Sequence, residues 1–144
     1  MPLSLYNKKI IISAGASGIG WATAKVCLSK GAIVYICDID NKSLNKIKKN
    51  SQYNKKLFAY GCDASDENDV SNFFNQVNKK TKKIDALINN VGVAGPTGTI
   101  EKLNSEDWET TLKVNEDQFI DEFLPQVVCS NANCEVVDKK GSVK

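Results

Sequence analysis

The 144-residue chain contains no histidine and no arginine. Without histidine, imidazole-based acid–base catalysis and most zinc sites are excluded. Without arginine, no guanidinium is present to hold a phosphate monoester or a guanine edge with two parallel hydrogen bonds. All 19 basic residues are lysines, and the formal net charge is only +2. That charge is too small to indicate nucleic acid or an anionic membrane as the main partner.

Long apolar runs are also missing. The run at 32–37 (AIVYIC) is far short of the ~20 apolar residues that span a bilayer. The first nine residues lack the apolar stretch of a secretory signal, so we expect a cytoplasmic protein. With 42% apolar residues and only three prolines, the composition excludes general disorder, and the length fits one domain.

Cysteine is present, but not in a metal-binding or disulfide pattern. The five cysteines lie at positions 27, 37, 62, 129 and 134 and form no CxxC pair. The first three lie inside apolar runs, and the last two have the wrong spacing for a zinc knuckle. We therefore expect small buried apolar side chains and no metal site.

Short β-branched runs alternate with amphipathic stretches, which is typical of βαβ units and a parallel sheet. The pattern predicts strands at 9–13, 32–37, 56–60 and 84–88 and helices at 19–30, 41–50, 65–79 and from Ser105 toward Phe123. The fold class is therefore α/β, a doubly wound, Rossmann-like parallel sheet with strand order 3-2-1-4, truncated after about four strands. Residues 124–144 have no clear pattern.

The segment between the first strand and the first helix is rich in glycine. Residues 13–20 read Ser-Ala-Gly-Ala-Ser-Gly-Ile-Gly. The N–H groups at a helix N-terminus attract negative charge, and glycine lets a pyrophosphate approach the backbone closely. The segment therefore indicates a dinucleotide cradle, with a plain tight turn as the alternative.

An acidic residue, Asp38, directly follows the second strand. It lies 18 residues beyond Gly20, close to the ~20-residue offset of a carboxylate that binds adenosine ribose hydroxyls. A 2′-phosphate about 4 Å from this carboxylate would cost roughly 4 kcal/mol per unit of charge product at an effective dielectric constant near 20. Because no arginine compensates, NAD is favoured over NADP. The alternative is that Asp38 merely ends the strand.

These residues together resemble the short-chain dehydrogenase/reductase family, from Lys8 to about Phe123. Residues 13–20 are similar to the family's TGxxxGxG segment, with Ser13 in the threonine place and Ala14 where the first glycine is usual. The resemblance implies a single, incomplete NAD-binding domain over residues 1–144, of which 1–123 are family-like and 124–144 are not assigned.

Three further segments match family motifs in the expected order. Cys62-Asp63-Ala64 lies where an aspartate brackets the adenine, Asn89 to Gly92 matches the NNAG motif, and Asn115 matches a helix asparagine that supports a proton-relay water. The resemblance therefore implies one catalytic residue, Asn115. It implies these cofactor-binding residues: Ser13, Gly15, Ser17, Gly18, Ile19, Gly20, Asp38, Asp63, Ala64, Asn90, Val91 and Gly92.

The family's catalytic pair, a tyrosine four residues before a lysine, is not found. The residues four positions after Tyr6, Tyr35, Tyr53 and Tyr60 are Ile, Ile, Leu and Ala. Residues 141–144 look like the approach to a fifth strand that would deliver a catalytic serine. The resemblance implies hydride transfer between NAD and a small hydroxyl or carbonyl substrate, in a homo-dimer or homo-tetramer. We expect the 144 residues alone to bind cofactor without turnover.

Three other functions stay open at this point. The chain could be a non-catalytic NAD-binding module or redox-state sensor. It could be a Rossmann-type methyltransferase, which also ends its second strand with an acid, although residues 89–92 argue against this. It could also be a defunct, truncated product that does not fold.

Overall fold

A computed structural model describes residues 4–53, 55–115, 127–130 and 133–136. Its main sheet has four parallel strands in the order β3-β2-β1-β4. Their bounds are β1 (Lys9–Ile12), β2 (Ile33–Asp38), β3 (Leu57–Gly61) and β4 (Ala86–Ile88). The predicted α/β class, strand order and parallel arrangement are confirmed.

Each of the first three strands is followed by a helix that returns the chain to the next strand. The helices are α1 (Gly18–Ser29), α2 (Asn41–Lys48), α3 (Glu67–Asn78) and α4 (Ser105–Asn115), with short 3-10 helices at Ser51–Tyr53 and Ile100–Lys102. Gly31 follows the end of α1 with φ of +92°, a left-handed conformation that glycine adopts without strain.

Both faces of the sheet are covered, which explains the uninterrupted apolar strands. On one face, called the α1/α2 face, Ile10, Ile12, Val34 and Ile36 pack against Ala24, Cys27, Leu28, Leu44 and Ile47. On the other, called the α3 face, Ile11, Tyr35 and Cys37 pack against Val70, Phe73, Phe74 and Val77. The apolar residues at helical spacing in α2 and α3 are thereby buried between helix and sheet.

Side chains set several element boundaries. The Asp66 carboxylate caps α3 by accepting from the N–H groups of Asn68 and Asp69, so this helix begins at 67 rather than 65. The fourth strand begins at 86 rather than 84. Ahead of it, the Asp85 carboxylate accepts from the Lys9 N–H at 2.8 Å, so that a side chain holds the start of β1 there.

A second, two-stranded sheet lies outside the predicted pattern. β5 (Val127–Ser130) and β6 (Asn133–Val136) pair antiparallel, with Cys129 opposite Cys134. The predicted continuation of α4 toward Phe123 and the approach to a fifth parallel strand at 141–144 lie outside the described residues.

The strand order places a site at one edge of the sheet. β1 pairs with β2 on one side and with β4 on the other. The order in which strands are added to the sheet therefore reverses at β1. In open parallel sheets, ligands bind at the carboxyl ends of the strands where the strand order reverses. The segments that follow β1, β2, β3 and β4 therefore meet at this edge.

Candidate functional site

A crevice of about 650 Å³ lies at the carboxyl ends of the four parallel strands. Its volume is within the ~300–1,000 Å³ range of small-molecule sites. Four segments and α4 contribute to it. The residues that line it are Ala14, Ser17, Gly18, Ile19, Cys37, Asp38, Ile39, Cys62, Asp63, Ala64, Ser65, Asn90, Val91, Gly92, Val93 and Val114.

The turn between β1 and α1 leaves the helix N-terminus open to this crevice. Ser17 precedes the helix in an extended conformation, its side chain makes no capping hydrogen bond, and no acidic residue lies in the first turn. Gly18 has φ of +51°, and a Cβ on it would meet nothing within 4 Å. The start of α1 thus borders the crevice without a side-chain cap, and an anion is electrostatically favoured at such a helix N-terminus.

Gly20 allows the closest approach in the turn. A Cβ on this residue would lie 2.2 Å from the Ala14 carbonyl oxygen and 2.7 Å from the Asn90 Nδ2. The same amide nitrogen donates to the Ala14 oxygen at 3.1 Å. Gly20 thus lies behind the crevice wall, where it lets α1 pack tightly against the turn.

The Asp38 carboxylate fixes the turn to the end of β2. Its Oδ2 accepts from the Ala16 N–H at 2.9 Å, and its Oδ1 accepts from the Asp40 N–H at 3.0 Å. The residue is only 8% exposed, yet it lines the crevice. A carboxylate has about four acceptor positions, so two remain for hydroxyl donors of a ligand.

Asp63 is held in a comparable way after β3. Its Oδ1 accepts from the Ser65 hydroxyl at 2.7 Å and from the Ser65 N–H at 2.8 Å. These hydrogen bonds, with a smaller contribution from the Lys113 cation, lower the pKa of Asp63 below its usual value. Asp63 is therefore ionised at neutral pH and lies with Ala64 on the crevice wall.

Ser13 joins β1 to the segment after β4 from beneath the crevice. Its hydroxyl accepts from the N–H groups of Asn90 and Val91 and donates to the Asn89 Oδ1. The side chain is completely buried and is not part of the crevice lining. Ser13 thus determines where residues 89–91 lie.

Asn115, at the end of α4, holds the next part of that segment. Its Oδ1 accepts from the Val93 N–H at 3.0 Å, and its Nδ2 donates to the carbonyl oxygens of Val93 and Thr111. Gly92 lies so close that a Cβ would be 3.1 Å from the Asn115 Oδ1. One amide hydrogen of Asn115 therefore anchors the loop, and the other bonds back to the carbonyl of Thr111 within α4.

The structure separates the predicted site residues into two groups. On the crevice lining are Ser17, Gly18, Ile19, Asp38, Asp63, Ala64, Asn90, Val91 and Gly92; behind it are Ser13, Gly15, Gly20 and Asn115. The site residues implied by the sequence do not include seven residues of the lining: Ala14, Cys37, Ile39, Cys62, Ser65, Val93 and Val114. Each of the seven is adjacent in sequence to a predicted site residue, so the neighbours of those residues were the available signal.

Two kinds of site are not found among the described residues. Their cysteine, aspartate and glutamate side chains form no cluster of three that could hold a metal ion. None of the helices in the described part of the chain has the length and apolar character needed to cross a bilayer.

A family model described as short chain dehydrogenase matches residues 8–121 of the sequence. The chain belongs to the short-chain dehydrogenase/reductase family. Short-chain dehydrogenase reductase 5 of Arabidopsis thaliana is 36% identical over 111 residues, which are 77% of this chain and 42% of that protein. The uncharacterized oxidoreductase YxbG of Bacillus subtilis is 36% identical over 115 residues, 77% of this chain and 41% of that protein.

Solved structures of short-chain dehydrogenase/reductases share the fold. A short chain dehydrogenase from Mycobacterium smegmatis superimposes with a TM-score of 0.73 at 26% identity, covering 85% of this chain and 51% of that one. The Pseudomonas aeruginosa RhlG/NADP active-site complex gives 0.74 at 25% identity, covering 85% and 48%. This short-chain dehydrogenase/reductase chain thus spans about half, or less, of these relatives.

The family implies a nicotinamide dinucleotide, and the crevice fits one. Gly18 leaves space for a diphosphate where any side chain would project, and the helix N-terminus beside it is uncapped. The Asp38 carboxylate has free acceptor positions for ribose hydroxyls, and Ala64 with Ile39 offers apolar surface for a base. The residues present therefore match both the charged and the apolar parts of such a group.

Proposed function

We propose that this chain binds NAD(H) in the crevice and forms the cofactor-binding part of an oxidoreductase acting on hydroxyl or carbonyl compounds. The observation that carries the proposal is the Asp38 carboxylate, which is buried and oriented by two backbone N–H groups at the crevice wall. An acceptor held this rigidly is suited to a ribose diol, because little side-chain entropy remains to be lost on binding.

The diphosphate would lie on the turn that opens α1. Gly18 leaves that position free of side-chain atoms, and Ser17 borders it with a hydroxyl that does not cap the helix. The helix dipole and the unpaired N–H groups supply the attraction that an arginine supplies elsewhere. This arrangement explains how a chain without arginine would hold two phosphate charges.

Charge at the end of β2 favours NAD over NADP. Asp38 is followed closely by Asp40, whose pKa is lowered by hydrogen bonds from the Ser43 hydroxyl and N–H. The Asp38 carboxylate would border a 2′-phosphate, with Asp40 as a second negative charge two residues further on, and like charges repel. The sequence has no arginine to offset them.

The adenine would lie between the ends of β2 and β3. Asp63 and Ala64 border this part of the crevice from β3, and Ile39 borders it from β2. The Ile39 side chain is 68% exposed, so covering it with a planar base would remove apolar surface from water. Asp63, fixed by Ser65, offers a free oxygen to an exocyclic amine.

The chain's own residues would position the nicotinamide end of the cofactor, but they do not supply the acid–base pair that the reaction needs. When bound, NAD supplies the hydride acceptor. Asn115 holds Val93 through both backbone groups and so fixes the loop at the mouth of the crevice. No tyrosine in the 144 residues has a lysine four positions later, so no paired acid–base group is present. We therefore propose binding without turnover for these residues alone, as in a non-catalytic NAD-binding module.

Isothermal titration calorimetry with NAD, NADP and S-adenosylmethionine tests the binding proposal. We expect NAD to bind more tightly than NADP and S-adenosylmethionine not to bind. Asp38→Asn should weaken NAD binding about 10- to 100-fold, since hydrogen bonds to a charged acceptor contribute roughly 1.5–3 kcal/mol. Asp38→Asn should also reduce the difference in binding affinity between NAD and NADP.

Asp66→Asn is the matched control. It also removes one carboxylate near the end of a strand, but Asp66 caps α3 and does not line the crevice. Because asparagine is an equally good N-cap, this variant should bind NAD like the parent. Unchanged NAD affinity in Asp38→Asn would contradict the proposal, as would NADH formation by the purified chain with an alcohol substrate.

A further inference from the structure

Two Cys-Asp pairs occupy equivalent places in the fold. Cys37-Asp38 ends β2, and Cys62-Asp63 directly follows β3. The proposed function uses the two aspartates and leaves the cysteines unexplained. Both cysteines lie on the α3 face of the sheet, and both line the crevice although their residues are almost completely buried.

The two cysteine side chains belong to the same buried cluster on the α3 face. The Cys37 thiol hydrogen bonds with Cys62, and its sulfur also receives the N–H of Ala14. The pair therefore lies where the turn after β1 and the ends of β2 and β3 meet. Both residues are free thiols in the structure.

The backbone register opposes a direct disulfide between them. Cys37 is opposite Tyr60, so Cys62 is two residues further along the neighbouring strand. With strands ~4.8 Å apart and a rise of ~3.3 Å per residue, the two Cα atoms are about 8 Å apart. Disulfides need Cα separations below about 7 Å. A group that bridges the sulfur atoms has no such requirement, because it adds its own bonds to the span.

The protonation state of the Cys37 thiol limits which reagents can react with the two cysteines. The hydrogen bond with Cys62 and burial hold the pKa of the Cys37 thiol well above its usual range. Peroxides and alkyl halides react with the thiolate form of a cysteine, so their reaction with Cys37 is disfavoured. A reagent that consumes both thiol protons is compatible with a neutral pair.

We propose that Cys37 and Cys62 form a dithiol site that captures a trivalent arsenical from the crevice. In the reaction with an organic arsenoxide, two S–H bonds and the arsenic–oxygen bond break, and two S–As bonds form. The two thiol protons leave with the oxygen as one water molecule. Arsenic stays trivalent, so neither an oxidant nor a reductant is needed.

The experiment uses phenylarsine oxide and intact-protein mass spectrometry on the folded 144-residue chain. Cys129 and Cys134 are opposite each other in the β5–β6 hairpin, so the parent for this test carries Cys129→Ser and Cys134→Ser. Excess 2-mercaptoethanol removes singly attached arsenic, and 2,3-dimercaptopropanol then removes bridged arsenic. Circular dichroism verifies that each variant is folded.

We expect one phenylarsenic group per chain that survives 2-mercaptoethanol and is released by 2,3-dimercaptopropanol. Cys37→Ala and Cys62→Ala should each lose this adduct, so either variant alone suffices if the other does not fold. Cys27→Ala is the matched control, because Cys27 is buried on the α1/α2 face, and it should keep the adduct. A parent without the adduct, or an adduct that persists in either variant, would overturn the proposal.

Discussion

The hydroxyl oxygen of Ser13 lies 2.8 Å from the backbone nitrogen of Asn90 and accepts its hydrogen bond. The same oxygen accepts from Val91 at 3.1 Å and donates to the Asn89 Oδ1 at 3.0 Å. One small side chain thus satisfies two backbone donors and one amide, at a point that water does not reach. The crevice depends on this contact, since it fixes the loop after β4 against the turn after β1.

Replacing Ser13 with alanine should destabilise the fold by roughly 2–4 kcal/mol, because two buried N–H groups would lose their acceptor. Urea unfolding followed by circular dichroism measures this loss. Ser13→Thr keeps the hydroxyl and should retain most of the stability. A Ser13→Ala variant as stable as the parent would contradict this role of the hydroxyl.

Ala14→Gly should stabilise the protein by about 1 kcal/mol. Ala14 has φ of +47°, a left-handed conformation that costs a residue with a Cβ roughly 1–2 kcal/mol. Relief of that strain outweighs the greater freedom of glycine in the unfolded chain. Ala16→Gly, two residues on and without a positive φ, should instead be destabilising. The midpoints of urea unfolding decide, and a lower midpoint for Ala14→Gly would contradict the argument.

Gly18→Ala and Gly20→Ala should have different effects: the first on NAD binding and the second on stability. At Gly20 a Cβ would lie 2.2 Å from the Ala14 oxygen, so we expect a loss of at least about 2 kcal/mol in stability. At Gly18 a Cβ meets nothing, and only the left-handed backbone costs about 1 kcal/mol. Gly18→Ala should therefore fold but lose NAD binding by calorimetry, since its methyl group occupies the proposed diphosphate position. A Gly18→Ala variant with unchanged NAD affinity would contradict this assignment.

Asp85 should make the fold sensitive to acid. Burial raises the pKa of its carboxyl, but the Lys9 N–H and the Lys8 cation together hold it below the usual value. A group whose pKa is depressed on folding stabilises the protein above its unfolded pKa of about 3.9, and this stabilisation is lost as pH falls further. Asp85→Asn should therefore be less stable at pH 7 by about 1 kcal/mol, with a smaller further loss between pH 5 and 3.

Lys8→Met separates the two partners of Asp85. The Lys8 side chain is 54% exposed, and exposed ion pairs contribute only ~0–1 kcal/mol. This variant should therefore lose less stability at pH 7 than Asp85→Asn. Urea unfolding at each pH measures both effects. If Lys8→Met lost as much stability as Asp85→Asn, the ion pair with Lys8, rather than the hydrogen bond from the Lys9 N–H, would be the main stabilising contact of Asp85.

Most of the fold could be predicted because each buried strand is a continuous apolar run. Residues 10–12 and 33–37 have no polar interruption, which is typical of a strand covered on both faces. The start of β4 could not be predicted, because Ile84 continues the apolar pattern. The hydrogen bond from the Lys9 N–H to the Asp85 carboxylate shows that a contact distant in sequence sets that boundary. The strand pair at 127–130 and 133–136 was missed because polar residues, among them Ser130, Asn133 and Glu135, interrupt its apolar pattern.

The site was partly predictable for a similar reason. The spacing of the glycines and their offset to Asp38 can be read directly from the sequence. The direction in which a side chain points cannot, because it depends on the fold. Ser13 was predicted to contact the cofactor; in the structure its hydroxyl bonds with residues 89–91, and Ser13 itself is not on the crevice lining. Cys37 and Cys62 resembled ordinary core residues, since only pairing of β2 with β3 brings them together.

The contacts of Ser13 also determine when the turn can be completed during biosynthesis. Its three partners follow it by 76 to 78 residues. The first strand, turn and helix leave the ribosome long before residues 89–91 are synthesised. Contacts this distant in sequence form late and slowly. The nascent chain therefore cannot complete the crevice from its N-terminal residues alone. The crevice forms only after nearly two thirds of the message for these 144 residues has been translated.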